Sequence, residues 1–298
     1  MKKKYLSVVV VLALGFVIWY FFMKPYDYLV SFKVNTYPGV VNQSIKTWSR
    51  NLENSEIIQS DDVYHIEQQL QLSDALYRYR WVICPTSDST SKVNVYITNI
   101  TNSFKNKAQI PFFETAFEKD TKERFLDFNK DLKLHLTDFK VKVVGREKLE
   151  PSYIMYMPIK TTQLLKTAGM MSTYPILDNE MTRNTIKSNG RPFLEVTYWN
   201  QKNDSIHYNF CYPIIKTDNL PKSSAIKFKY FKGGDMLKAV YNGNYITSDH
   251  AWYKLLDYAK NKHMPIVEKP IEVFFNNPNF GGDAYEWKTE VYLPLKNK

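Results

Sequence analysis

The chain has 298 residues, of which 44% are hydrophobic and 23% charged, a length that predicts two modest domains. The net charge of +10 is uneven: Lys2, Lys3, Lys4 and Lys24 carry four of it, residues 25–150 are balanced, and the rest lies beyond. No run of five like charges occurs, which argues against a nucleic-acid stripe, and two cysteines, Cys84 and Cys211, are too few for a disulfide scaffold.

Three lysines precede an uncharged apolar run, Tyr5–Met23, that ends in Trp19-Tyr-Phe-Phe-Met23. At about 1.5 Å per residue it is long enough to cross the hydrocarbon core of a bilayer. Terminal aromatics suit the membrane interface and flanking lysines the cytoplasmic side. A cleaved signal peptide is the rival, but bulky Tyr20-Phe21-Phe22 stands where small residues would mark a cleavage site. Residues 1–23 are therefore expected to be an uncleaved anchor, with the rest of the chain outside the cytoplasm, as at a bacterial inner membrane facing the periplasm.

Residues 24–147 are expected to form the first domain. Tyr28, Val30, Phe32 and Val34 alternate as in a strand, and Val41, Ile45 and Trp48 after Pro38-Gly39 have helical spacing. Tyr77, Tyr79, Trp81 and Ile83 alternate with arginines, a polar turn runs from Pro85 to Ser91, and Val93, Val95 and Ile97 alternate again. Phe113, Phe117, Phe125, Phe128 and Leu132 then keep a helical period. An antiparallel sheet gripping a long C-terminal helix accommodates this order. The opening strand with its Pro-Gly-capped helix, Trp81-Val-Ile-Cys-Pro85 before the turn, and the terminal helix resemble the SRPBCC (START/polyketide-cyclase-like) superfamily. That resemblance implies an enclosed apolar cavity, although no acid–base pair is placed for it.

The second domain, expected at 150–298, carries a duplication. Asn209-Phe-Cys-Tyr-Pro213-Ile returns as Glu290-Val-Tyr-Leu-Pro294-Leu, and Pro192-Phe-Leu-Glu-Val-Thr-Tyr-Trp199 as Pro270-Ile-Glu-Val-Phe-Phe-Asn-Asn277 with one residue slipped. A whole unit is repeated, about 152–216 and 225–296, each read as strand, helix, strand, strand. In the second copy the strands are Ile226–Phe231, Pro270–Asn276 and Trp287–Leu295, and the helix is Ser248–Lys262, with Trp252, Leu255, Leu256 and Ala259 on one side.

Lys232-Gly-Gly-Asp-Met-Leu-Lys-Ala-Val-Tyr-Asn-Gly-Asn-Tyr245, Ile271-Glu-Val-Phe-Phe-Asn-Asn-Pro278 and Thr289-Glu-Val-Tyr-Leu-Pro294 resemble, in order, three motifs of the GyrI-like domain, also called the AraC effector-binding or multidrug-binding domain. The resemblance implies a pseudo-twofold sheet with helices on one face and a ligand groove on the other, with an acid at the Glu290 position serving the ligand. Phe274 stands where tyrosine is common and Asn209 where a second acid is frequent, which implies a less polar groove.

Strand parity puts Glu290 and Tyr292 on the groove side and Val291 and Leu293 on the helix side. On the same grounds Glu272 and Phe274 are expected in the groove, with Glu195, Thr197 and Trp199 in the first copy and Asn209 opposite Glu290. A carboxylate among rings suits a cationic or hydrogen-bond-donating apolar ligand.

The overall expectation is an α+β chain: transmembrane helix, helix-grip domain and duplicated GyrI-like domain. Its function reads as membrane-anchored small-molecule binding, as a sensor or sequestering receptor. The alternatives are hydrolysis of reactive electrophiles with Glu290 and Glu272 as base and polarising group, and a protein-interaction module in the envelope. Five histidines without ligand spacing, and no phosphate loop, nucleophile elbow or dinucleotide fingerprint, leave no metal or cofactor expected and the enzyme reading disfavoured.

Overall fold

The computed structural model describes residues 2–72, 75–87, 89–218, 220–221 and 223–296. The side chains of Lys2–Lys4, Asp88 of the expected polar turn, and the last two residues of the second domain fall outside the described part. The chain divides into two compact units, Met1–Lys133 and Leu134–Lys298, each with its own antiparallel sheet.

The first unit starts with one apolar helix. α1 (Lys2–Ile18) runs into a π-helical turn, Trp19–Met23, closed by the Lys24 N–H donating to the Trp19 carbonyl at 2.9 Å. The elements that follow are β1 (Tyr28–Val34), α2 (Pro38–Asn51), β2 (Ser55–Ser60), β3 (His65–Leu72), β4 (Ala75–Ser87), β5 (Thr90–Asn99), α3 (Ser103–Gln109) and α4 (Ala116–His135). The sheet order is β1-β5-β4-β3-β2. β2 and β3 extend it beyond the strands legible from alternation. α2 begins on Pro38, whose missing N–H costs nothing in a first turn. α4 buries Phe117, Phe125, Phe128 and Leu132, and Trp81 on β4 packs between Phe125 and Phe128 at 5.2 and 5.4 Å. Phe113 does not join that stripe. The helix starts later because Thr115 and Glu118 form a capping box, the Thr115 hydroxyl accepting from the Glu118 N–H and the Glu118 carboxylate from the Thr115 N–H. Phe113 is left 71% exposed, beside Phe112 at 78%.

In the second unit the elements are β6 (Phe139–Leu149), β7 (Ser152–Thr162), α5 (Lys166–Arg183), β8 (Phe193–Asn200), β9 (Ser205–Pro213), β10 (Lys227–Phe231), β11 (Gly234–Gly243), α6 (His250–Asn261), β12 (Ile271–Phe274) and β13 (Lys288–Pro294). The order β10-β7-β9-β8-β12-β13-β11-β6 makes the duplication visible: β7-α5-β8-β9 and β11-α6-β12-β13 are equivalent, joined where β8 meets β12. Leu194 and Glu272 pair directly at that seam, and both lie two residues after the equivalent prolines, Pro192 and Pro270. They are therefore counterparts about the pseudo-twofold axis.

β6 and β7 are nearly one strand, and so are β10 and β11. The two long ribbons pair along their length, Leu149 with Gly234 and Ser152 with Phe231, so the sheet closes on itself there. Gly233 at that crossing has a φ of +61°, and a Cβ on it would collide with the Leu149 carbonyl. Closure buries both faces. α5 and α6 cover one, over Leu177, Leu194, Val196, Leu237, Trp252, Leu255, Val291 and Leu293. The concave face encloses Ile154, Phe193, Cys211, Phe231, Met236, Ile271 and Tyr292.

Candidate functional site

A cleft of about 260 Å³ opens between α5, β9 and the segment that continues β12. Thr167, Met170, Met171, Tyr174 and Asp178 reach it from α5, at i, i+3, i+4, i+7 and i+11 and hence on one helix face. Phe210 and Tyr212, alternate residues of β9, form its floor with rings edge-on at 5.6 Å. Tyr245, Phe274 and Phe275 complete an aromatic wall. Its two charged residues, Asp178 and Arg191, are exposed and of opposite sign. Arg191 lies over the Phe275 ring at 4.2 Å and donates to the Phe275 carbonyl at 3.4 Å.

Two buried oxygens of this lining, Thr167 Oγ1 and Tyr212 Oη, have no hydrogen-bond partner in the protein. Burial raises the Tyr212 phenol above its ordinary range, with Tyr174 and Asp178 adding to the effect, so it remains a hydroxyl donor. A buried donor without an acceptor costs free energy that a ligand can recover.

One residue along α5 from Thr167 lies a fully buried ion pair. Lys166 Nζ donates to both Glu272 oxygens at 2.7 and 2.9 Å and to Ser248 Oγ at 2.6 Å, with the ammonium 5.0 Å above the Trp252 ring. Both side chains are 0% exposed. Beside the pair, Gln163 donates to Asp249 at 2.8 Å and accepts from Trp199 Nε1 and Tyr253 Oη. Burial pushes the Asp249 carboxyl up to about 6, against the pull of Lys166.

The residues expected in one groove are divided among three places. Phe274 lines the cleft. Glu272 shares its face, but is consumed by Lys166 and is not part of the lining. Glu290, Tyr292 and Asn209 lie on the opposite, concave face. There Glu290 accepts from Tyr292 Oη at 2.7 Å and pairs with Lys288 at 2.7 Å and Lys238 at 3.1 Å, while Asn209 and Lys229 bond Glu195. Burial raises the Glu290 carboxyl, but hydrogen bonds from Lys288, Tyr292 and Lys238 outweigh it and hold the group below its ordinary range.

Trp199 has turned to the helix side, 5.2 Å from Trp252, because a bulge between Val196 and Tyr198 reverses the parity of β8. The cleft lies under α5, on the helix-bearing face, whereas Glu290, Tyr292, Asn209 and Glu195 share the opposite face, the one expected for the groove. Glu290 and Glu272, on opposite faces of the sheet, do not form a catalytic pair. Sequence reasoning missed Lys166, Thr167, Tyr174 and Tyr212. The spacing of Thr167, Met170, Met171 and Tyr174 was a readable helical stripe, whereas nothing local foretold that Lys166 would meet an acid 106 residues away. Among the described residues no three His, Cys, Asp or Glu side chains gather to hold a metal.

Two equivalent strand–helix–strand–strand units, with both helices on one sheet face and an aromatic cleft beneath one of them, define a small-molecule-binding module. The chain belongs to the family of GyrI-like small molecule binding domains, which it matches over residues 148–296. No curated protein matches it significantly. Among solved structures it is similar to the EcmrR C-terminal domain, at 14% identity and TM-score 0.45 over 54% of this chain and 99% of that one. It is also similar to SAV2435 bound to tetraphenylphosphonium (10% identity, TM-score 0.38, 52% and 94% covered) and to a hydrolase from Listeria innocua (11%, 0.35, 51% and 92%). At those values the neighbours say nothing about ligand or reaction.

Proposed function

We propose that the protein is a membrane-anchored small-molecule receptor, acting as a sensor or by sequestration, with its ligand in the cleft under α5 and its folded part outside the cytoplasm. The observation that carries the binding site is the pair of partnerless hydroxyls, Thr167 Oγ1 and Tyr212 Oη, within aromatic walls that include Phe274. The family's small-molecule-binding character supports the same reading.

Anchoring is supported by the Tyr5–Met23 span, 19 residues with a mean hydropathy of 2.5. Near its end, Phe104 of α3 is 64% exposed and contacts Phe21 at 5.0 Å, which suits a bilayer interface. The first unit, with α4 packed on its sheet, is proposed to be the SRPBCC-like helix-grip domain.

The test is thermal shift of the full chain in detergent against neutral lipophiles and apolar amines, beside Met170→Trp, which fills the cleft. A ligand at 100 times its dissociation constant stabilises by about 2.7 kcal/mol. Stabilisation lost in Met170→Trp supports the reading. Stabilisation by no compound, or equally in both proteins, refutes it.

A further inference from the structure

We infer that the cleft selects neutral, flat aromatic molecules bearing a hydrogen-bond acceptor, and discriminates against organic cations. This deepens the small-molecule reading and rests on it.

Charge decides the sign of the preference. A buried carboxylate free to meet a ligand is what holds an organic cation out of water, since desolvating a cation is otherwise expensive. The buried acids on this face are Glu272 and Asp249, and neither lines the cleft: Asp249 accepts from Gln163, and the charge of Glu272 is already balanced from inside the fold. Lys166 Nζ meets both of its oxygens, Ser248 Oγ lies 2.9 Å from Oε2, and neither ionic side chain is exposed. The chain supplies its own cation. The charges in the lining itself, Asp178 and Arg191, are both exposed, screened by water and opposite in sign, so together they give a cation no net attraction.

What the cleft offers instead is directional. Tyr212 Oη, on a side chain 8% exposed, is a phenolic donor without an acceptor, and Thr167 Oγ1 is a second hydroxyl without a partner. A ligand carbonyl, ether or sulfonyl oxygen is the acceptor that the Tyr212 hydroxyl lacks. The rings of Phe210, Tyr245 and Phe274 favour a flat π-surface. The volume of about 260 Å³ accommodates two or three fused rings, below the range of drug-sized pockets.

The experiment is calorimetric titration of the full chain in nanodiscs, with empty nanodiscs as reference. The probes are 2-acetylnaphthalene and the cation (2-naphthylmethyl)trimethylammonium, each against wild type and Tyr212→Phe. The ketone should bind at least tenfold more tightly than the ammonium. Tyr212→Phe should weaken the ketone about fivefold, the worth of one hydrogen bond, and leave the ammonium unaltered. Without ligand, Tyr212→Phe should melt no lower than wild type, because it deletes a hydroxyl that lacks a partner. An ammonium that binds as tightly as the ketone overturns the selectivity while leaving the small-molecule reading intact. A ketone indifferent to Tyr212→Phe overturns the role of the hydroxyl. If neither probe binds, the inference fails, and the compound library with Met170→Trp decides separately whether the receptor reading fails with it.

Discussion

Replacing Lys166 by Met keeps most of the side-chain volume and removes only the ammonium. Glu272, 0% exposed, would be left with Ser248 as its sole hydrogen-bond partner among the described residues. Breaking a buried pair from one side costs about 3–5 kcal/mol, because the surviving charge has neither water nor counterion. For a unit of this size that lowers the melting temperature by roughly 10 °C. The duplication supplies the control. Leu194 fills the position equivalent to Glu272 in the other repeat, so Lys166→Met with Glu272→Leu should recover stability to within about 1 kcal/mol of wild type. Ser248 keeps its hydrogen bond to the Tyr245 carbonyl in that variant. Urea denaturation followed by near-ultraviolet circular dichroism reads all three proteins. A single substitution costing under about 1 kcal/mol, or a double as unstable as the single, would refute the assignment of Lys166 as the indispensable counterion of Glu272.

Gly169→Ala should destabilise, although alanine normally gains about 1 kcal/mol over glycine in a helix. The added Cβ would stand 2.5 Å from Tyr208 Oη, which donates to the Lys166 carbonyl, and the expected loss of about 1–3 kcal/mol is read by urea denaturation. Asp249→Asn should raise the melting temperature at pH 7. The folded carboxyl titrates near 6 against an ordinary 3.8, so ionising it costs about 3 kcal/mol, a cost complete above pH 6 and absent below pH 4. The gain over wild type should therefore vanish as pH falls through that window, as melts across pH 4–7 will report. Leu12→Lys with Leu14→Lys, at about 2.5–3.5 kcal/mol per charge in mid-span, should render the chain extractable by alkaline carbonate if residues 5–23 cross a bilayer.

Much of the fold was legible because alternation and helical spacing report a face that is buried against a face that is wet. β1 and, apart from Phe113, α4 match that reading. At β12 alternation misleads, because Ile271, Val273 and Phe275 look like the helix-facing set. The sheet's closure buries both faces, so apolar alternation no longer tells one from the other. A one-residue slip between the repeats makes Glu195 the counterpart of Glu272, whereas the strand register makes that counterpart Leu194. Trp199 was misplaced by a single bulge that composition does not mark. Lys166 was invisible for a different reason: a buried ion pair is a long-range property, and a lysine at a helix start is ordinarily solvated.

The closed ribbon also determines how the second unit treats its neighbours. β6, an outer strand of the sheet order, pairs only with β11 among the described strands. Lys140, Lys142, Arg146 and Lys148 recur along it, and the ladder slips between Lys238 and Ala239, opposite the stretch from Val143 to Gly145, where Gly145 has a φ of +117°. Repeated cationic side chains and a distorted register are features that prevent a foreign strand from docking along an edge. Copies of the second unit that meet at this edge would therefore repel one another rather than zip into a continuous sheet.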